Sequence, residues 1–258
     1  MFRIFFRVLL IFLIVIILII SYLSIFGLKT NRFNELIKSQ IIKYDSKLNI
    51  NLDEVYIKLN VKQRSFILDS QNVDLFIQKE VQKIKNINVL IDLRTFFNRD
   101  NKIKKIIINS KENDIIDLLT FIRAYKISIP ALYLENSVSK GKIKYDIVIN
   151  YDDKNKEHIG ISGKIIDTKL DILGKEKFDN INFNFSYENQ NLLITNLKFK
   201  YNEIDFKSKK IKSHIKKNLI NIEGDFQNKL DNKLLSKFSD IPIYQFLDKN
   251  NILLTNSN

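Results

Sequence analysis

The residue types that do most protein chemistry are scarce in this chain. His158 and His214 are its two histidines, and it has no cysteine. Neither histidine stands at metal-ligand spacing from the other, and no third ligand joins them. Both stand beside turn-like segments, where an exposed loop histidine is expected. Ser137-Val138-Ser139-Lys140 matches the bare S-x-x-K pattern of penicillin-recognising enzymes. The companions of that motif are missing, because Ser239-Asp240-Ile241 is not S-D-N and no K-T-G occurs. The stretch runs into Gly141 between two strand-like segments, so turn chemistry accounts for it. Gly160-Ile161-Ser162-Gly163-Lys164 is too short for a phosphate-binding loop and lies inside a strand pattern. Asp152-Asp153 carries the right oxygens for calcium, but Lys154 and Lys156 beside it describe a solvated hairpin tip. The sequence therefore leads us to expect a non-enzyme with no metal and no cofactor.

Charge could point to another partner. The net charge of +13 suits nucleic acid or anionic lipid. However, lysine outnumbers arginine 35 to 7 and there are 30 asparagines, the composition of an AT-rich coding sequence. The basic residues are spread along the chain, so nucleic acid is not expected as a partner. The missing cysteines exclude a disulfide framework and thiol chemistry.

What could position a site begins with a membrane. Val8 to Leu28 is 21 residues without a charge, and Val8 to Ile20 is unbroken Leu, Ile, Val and Phe. About 20 apolar residues in a helix span the ~30 Å hydrocarbon core of a bilayer. A cleaved signal peptide is the rival reading, with Arg3 and Arg7 as its basic start. The apolar run is too long for that, and bulky Ile25 and Phe26 follow Ser21-Tyr22-Leu23-Ser24 where small residues would be needed. Arg3 and Arg7 predict a cytoplasmic N-terminus, although Lys29, Arg32, Lys38 and Lys43 follow the helix. The expected organisation is a transmembrane signal-anchor over 1–30, an amphipathic linker helix over 31–47, a β-rich domain over 48–230 and a helical tail over 231–258.

Periodicity gives the elements. Phe33, Leu36, Ile37, Gln40, Ile41 and Tyr44 form a helical stripe. Val55, Ile57, Leu59 and Val61 then alternate with polar residues, and Phe66 to Ile77 alternates with one break near Ser70–Asn72, as a bulge or a turn would leave. Ile103 to Ile108 reads as a strand, 113–126 as a helix capped by Asn113 or Asp114, and Pro130 as the restart of extended structure through Leu132 and Leu134. From Gly141 the alternation is clearest, with turns at 152–156 and 188–191. The fold class expected is mainly β with minor α: the anchor helix, then an antiparallel amphipathic β-meander curled into a trough or sandwich, with short flanking helices. Its apolar face would be built from Ile143, Tyr145, Ile147, Ile149, Ile181, Phe183, Phe185, Leu193, Leu197, Phe199, Ile220 and Ile222. A second sheet layer or a helix would cover that face as a sandwich and a lipid chain would make it a groove, and periodicity does not choose between them.

This arrangement resembles the AsmA-like group of bacterial envelope proteins, with its TamB- and YhdP-type members. The phrases similar to that family are Ile103-Lys104-Lys105-Ile106-Ile107-Ile108-Asn109, Asp114-Ile115-Ile116-Asp117-Leu118-Leu119, and the stretch from Leu134 to Ile143 that opens on Asn136 and Gly141. Ile161-Ser162-Gly163-Lys164-Ile165 and Ile222-Glu223-Gly224-Asp225-Phe226 look like its strand-Gly-strand repeats. Members are usually much longer, so the chain would be a short version or an N-terminal portion. The resemblance implies a single-pass protein of the bacterial inner membrane with a periplasmic β-trough. The trough would carry phospholipid or another acyl lipid between membranes, or aid outer-membrane biogenesis with envelope assembly proteins. An LptC-like module for lipopolysaccharide export, or a structural scaffold with a closed β core, are the alternatives.

Overall fold

The computed structural model describes residues 2–31, 34–93, 103–152, 156–172, 174–216 and 219–228. The expected helical tail over 231–258, and Phe33 of the linker stripe, lie outside the described residues. Helix α1 runs Phe2–Ile25. Its 21-residue window Phe5–Ile25 has a mean hydropathy of 3.3, and none of that window is buried. Among the described residues it is the one helix long and apolar enough to cross a bilayer.

The helix passes into the sheet almost without a linker. Gly27 takes φ +73° and its amide donates to the Tyr22 carbonyl, a left-handed helix stop that glycine adopts without a Cβ penalty. A Cβ there would lie 2.7 Å from Lys58 Cγ and 2.9 Å from the Ile57 carbonyl oxygen. Strand β1 (Leu28–Lys29) follows at once, and pairs through Leu28 with Ile57 and through Lys29 with Tyr56. Lys29 also hydrogen-bonds Glu54, which in turn accepts from the Tyr56 hydroxyl at 2.6 Å. The Lys29 bond, then the Tyr56 bond, hold the Glu54 carboxyl below its ordinary range.

Helix α2 (Asn34–Tyr44) leads to β2 (Leu48–Asn51), β3 (Glu54–Asn60), β4 (Ser65–Ile77), β5 (Glu80–Asp92), β6 (Ile103–Ser110) and β7 (Asn113–Asp114). Two helices come next, α3 (Ile115–Tyr125) and α4 (Ile129–Ser137). The remaining strands are β8 (Val138–Tyr151), β9 (Glu157–Ile172), β10 (Glu176–Glu188), β11 (Asn191–Tyr201), β12 (Ile204–Lys216), β13 (Leu219–Gly224) and β14 (Gln227–Asn228). All fourteen belong to one open antiparallel sheet in the order β1-β3-β4-β5-β6-β8-β9-β10-β11-β12-β13, with β2, β7 and β14 added at the side. Every described strand lies in this one sheet, and the second layer over it is supplied by helices, α3 and α2.

The meander sorts its connections to two ends. The strand ends at Asn60 and Ser65, Asp92 and Ile103, Tyr151 and Glu157, Glu188 and Asn191, and Lys216 and Leu219 lie on the side toward which α1 extends, because Ile20 and Ile25 line a crevice shared with Lys58 through Val61 at the end of β3. This is the anchor end. The turns after Ile77, Ile172 and Tyr201 lie at the opposite, far end.

Three sequence expectations are corrected here. Pro130 does not restart a strand; it stands in the first turn of α4, where its missing amide costs nothing, and Ser128 caps that helix by accepting from the Ala131 amide at 3.3 Å. Ser137 therefore ends a helix and Ser139 and Lys140 sit in β8, so the S-x-x-K stretch is a helix-to-strand junction. His158 and His214 lie within β9 and β12, exposed, rather than in loops.

Candidate functional site

Residues that pair directly across antiparallel strands project to the same side of the sheet. Following the register from strand to strand gives one continuous row: Val55, Ser70, Ile87, Ile108, Ile147, Ile161, Tyr187, Leu192, Ser213 and Ile222. Toward the anchor end runs a second, Ile57, Leu68, Val89, Ile106, Ile149 and Ile159. On the far side lies a third, Tyr145, Gly163, Phe185, Ile194, Ile211 and Gly224. Strands widely separated in sequence thus merge into one broad apolar face.

Kinks keep that face continuous where alternation alone would break it. Asn72, Asp167, Asn180 and Asn196 have φ between 46° and 55° inside strands β4, β9, β10 and β11. Asn and Asp tolerate this left-handed geometry better than other side chains. Asn182 straps two of the kinks together, accepting from the Asp167 amide at 3.1 Å and donating to the Asn180 carbonyl at 2.9 Å. Across each kink the register with the next strand is kept, but the apolar set changes parity and stays on the same side.

The kink at Asn196 corrects one candidate. Phe185 pairs with Ile194 and Ser186 with Leu193, so Leu193 projects to the opposite face beside Lys212. The apolar face takes Leu192 and Ile194 before the kink. It takes Leu197, Phe199 and Tyr201 after it, where Phe178 stacks on Tyr201 at 4.9 Å and meets Phe199 at 5.8 Å. Ile143, Tyr145, Ile147, Ile149, Ile181, Phe183, Phe185 and Ile222 join the apolar face as expected. Ile220 pairs with Ile215, and its side chain lies outside the described ones.

Cover over this face is graded along the strands. Toward the far end α3 lays Ile115 and Leu119 on Val138 and Ile143, with Tyr145, Ile165, Leu170 and Phe185 packed around them. Beside it, Ile50, Val73 and Ile84 are buried together with Ile41 from α2 against them. Arg123 of α3 holds α4 through Glu135 at 2.9 Å. Burial pushes the Tyr145 hydroxyl up to about 12, and burial with a hydrogen bond to Glu176 does the same for Tyr201. Toward the anchor end no helix packs on the face: Ile159 is 46% exposed and Ile57, Leu68, Val89, Ile106 and Ile149 are half-buried, while Ile222, on the edge strand β13, is 69% exposed. Tyr145, Ile147, Ile149, Ile181, Phe183, Phe185, Leu197 and Phe199 are half-buried.

The opposite face is polar over β8–β12, where Lys144 pairs with Lys164 and Lys198 with Lys207. Nearer α1 it is mixed, with the row Lys58, Ile67, Leu90 and Lys105. No group of His, Asp or Glu able to hold a metal ion occurs among the described residues. The geometry defines a class: a chain with one membrane-length helix fused to an open, amphipathic antiparallel sheet. Comparison with family models, with curated proteins and with solved structures gives no match.

Proposed function

We propose that this protein is a membrane-anchored carrier of acyl lipid, which binds hydrocarbon chains along the apolar face of its sheet. The supporting observation is the gradient of cover: α3 closes the face at the far end, and no helix packs on it toward the end where α1 departs. A lipid leaving the bilayer beside α1 meets that end first. Covering apolar surface with an acyl chain is worth about 25 cal/mol per Å². No catalytic group is required.

In this reading α1 spans a bacterial inner membrane with its N-terminus in the cytoplasm, and the sheet is periplasmic. The resemblance to AsmA-like proteins supports phospholipid transport or outer-membrane biogenesis as the setting, and an LptC-like role is the variant for lipopolysaccharide. A reporter fused after Asn258 is expected to be active only when it works outside the cytoplasm; activity confined to the cytoplasm overturns the topology.

The carrier reading is tested by exporting the chain from Gly27 onward, which keeps β1 on β3, and purifying it without detergent for mass spectrometry. Co-purified phospholipid, lost in a folded Phe183→Glu variant, is the expected result. Lipid-free wild-type protein together with an unfolded Phe183→Glu variant favours the second reading, a scaffold with a closed core, for which the buried sets around Ile143 and Val73 would be the nucleus.

A further inference from the structure

The covered end of the apolar face holds an amide that the protein leaves unbonded. Gln82 of β5 is 1% exposed, and among the described residues nothing donates to its Oε1 or accepts from its Nε2. It pairs with Leu75, which pairs in turn with Ile50, and it shares a side of β5 with Ile84 two residues on. Those neighbours belong to the buried set beneath α2, and α3 packs against the same strand. Exchanging the amide oxygen and nitrogen would change nothing, because neither is bonded. Ser65 and Ser208 also bury a hydroxyl without a partner, but each is a single rotatable group. Gln82 buries a donor and an acceptor held side by side.

An unmet buried amide is destabilising, and native proteins keep few of them. Local rules of this kind are broken chiefly at functional sites, where a ligand completes the bonding. A path for one runs along β5 itself. From Gln82 the apolar side continues through Ile84, Ile87 and Val89 toward the anchor end, and Ile87 and Val89 are half-buried. Val89 lies seven residues from Gln82, about 23 Å at ~3.3 Å each. A lipid tail, which fills about half of a ~30 Å hydrocarbon core, fits within that length.

We infer that Gln82 receives the carboxyl head of a free fatty acid in its neutral form, with the chain lying along β5 toward the anchor end. The inference rests on the acyl-chain reading above and names the class of acyl compound. A neutral carboxyl carries its O–H and C=O side by side. Its O–H donates to Oε1 while Nε2 donates to its carbonyl, so both atoms of Gln82 are met. Among Ile50, Leu75 and Ile84 a carboxyl keeps its proton, because burial disfavours the charged form. The ester-linked chains of a phospholipid can lie on the same face, but an ester has no proton to give and leaves Oε1 unmet. The amide link of an N-acyl lipid is trans, with N–H and C=O pointing apart, and meets one atom only.

The test uses the full chain in a phosphatidylcholine nanodisc, read by native mass spectrometry with three probes that share one chain. Hexadecanoic acid is the proposed class. Hexadecanamide carries the same side-by-side donor and acceptor without ionising, and methyl hexadecanoate carries acceptors only. The variant is Gln82→Met, similar in length and apolar. From wild type to variant the affinity ratio of amide to ester is expected to fall about tenfold or more, and the ratio of acid to ester to fall with it. Ratios taken within one kind of nanodisc cancel partition into the bilayer. The ligand-free variant should melt about 2–12 °C higher, because two unmet atoms are gone. Ratios that the substitution leaves unchanged, with all three probes bound, overturn the inference and leave the carrier standing. A lower Tm in the variant overturns it too, since Gln82 is then already bonded inside the protein. An amide that responds to Gln82→Met beside an acid that does not overturns the fatty acid as the ligand. Binding of no probe to either protein removes the carrier reading and this inference with it.

Discussion

Val73→Asp is expected to abolish the cooperative thermal transition of the protein, while Phe183→Glu shifts it by only a few degrees. Val73 is 0% exposed and packs with Ile50 and Ile84 beneath α2. A carboxylate there has no partner and no route to water, and such burial costs several kcal/mol. A domain with a total stability of about 5–15 kcal/mol has little left after that loss. Phe183 is half-buried, so replacing it removes about half of a phenylalanine's burial, on the order of 1–1.5 kcal/mol. For a domain of this size that amounts to a Tm drop of about 2–6 °C. Circular dichroism melts of the two variants in the same micelle check both values. Equal collapse of the two would mean that the face around Phe183 is as closed as the core, and the carrier reading would fall.

The contrast between these residues shows what periodicity reports. Alternation identifies which residues share a face, and so Ile143 through Ile149 and Ile181 through Phe185 were legible from residue order alone. It says nothing about cover. Ile143 at 7% exposure and Ile222 at 69% have the same pattern in the sequence and opposite surroundings in the fold. The difference comes from placement in three dimensions: α3 lies on Ile143, while Ile222 stands on β13, the last strand of the sheet.

Kinks explain most of what periodicity missed. In β5, Val81 and Ile84 precede a register shift against β6, and Ile87, Val89 and Ile91 follow it. Neither half is long enough to announce a strand, so residue order alone does not disclose Glu80–Asp92. In β11 the same effect runs the other way. Leu193, Leu197 and Phe199 keep one parity through the sequence, yet the kink at Asn196 puts Leu193 on the far side from the other two. Asn72 gave a visible signal because the alternation on both sides of it is strong. The asparagines that read as compositional drift are, at Asn72, Asn180 and Asn196, the residues whose backbone makes these shifts possible.

Lysine is a parallel case. Along the chain the basic residues look evenly spread. Lys198 and Lys207 are nine positions apart and become nearest neighbours when the hairpin at Tyr201–Ile204 closes. A charge patch on a meander is a property of register, which is set by the turn, and the left-handed pair Asn202 and Glu203 fixes that turn here.

Gly163→Ala is expected to lower Tm by about 2–12 °C, a large effect for one added methyl. Gly163 lies between Tyr145 and Phe185 in the third row of the apolar face. A Cβ on it would stand 2.5 Å from the Lys144 carbonyl oxygen and 2.7 Å from Phe185 Cζ. The ring of Phe185 thus lies over the glycine and covers backbone that no side chain shields, as aromatic residues do across from glycines in other sheets. Overpacking of this kind costs roughly 1–3 kcal/mol, and about 2–4 °C accompanies each kcal/mol in a domain of this size. The ring is the movable partner and the carbonyl is not. Phe185→Leu should therefore recover part of the loss in the double variant and cost stability alone, a coupling that a double-mutant cycle measures. A neutral Gly163→Ala, or losses that simply add, would mean that the ring does not rest on Gly163. The same pair links stability to the proposed carrier. With a side chain at 163 the Phe185 ring must swing into the space above the sheet, where an acyl chain would lie. Lipid content should then fall in Gly163→Ala even below its melting transition, and return in Gly163→Ala/Phe185→Leu.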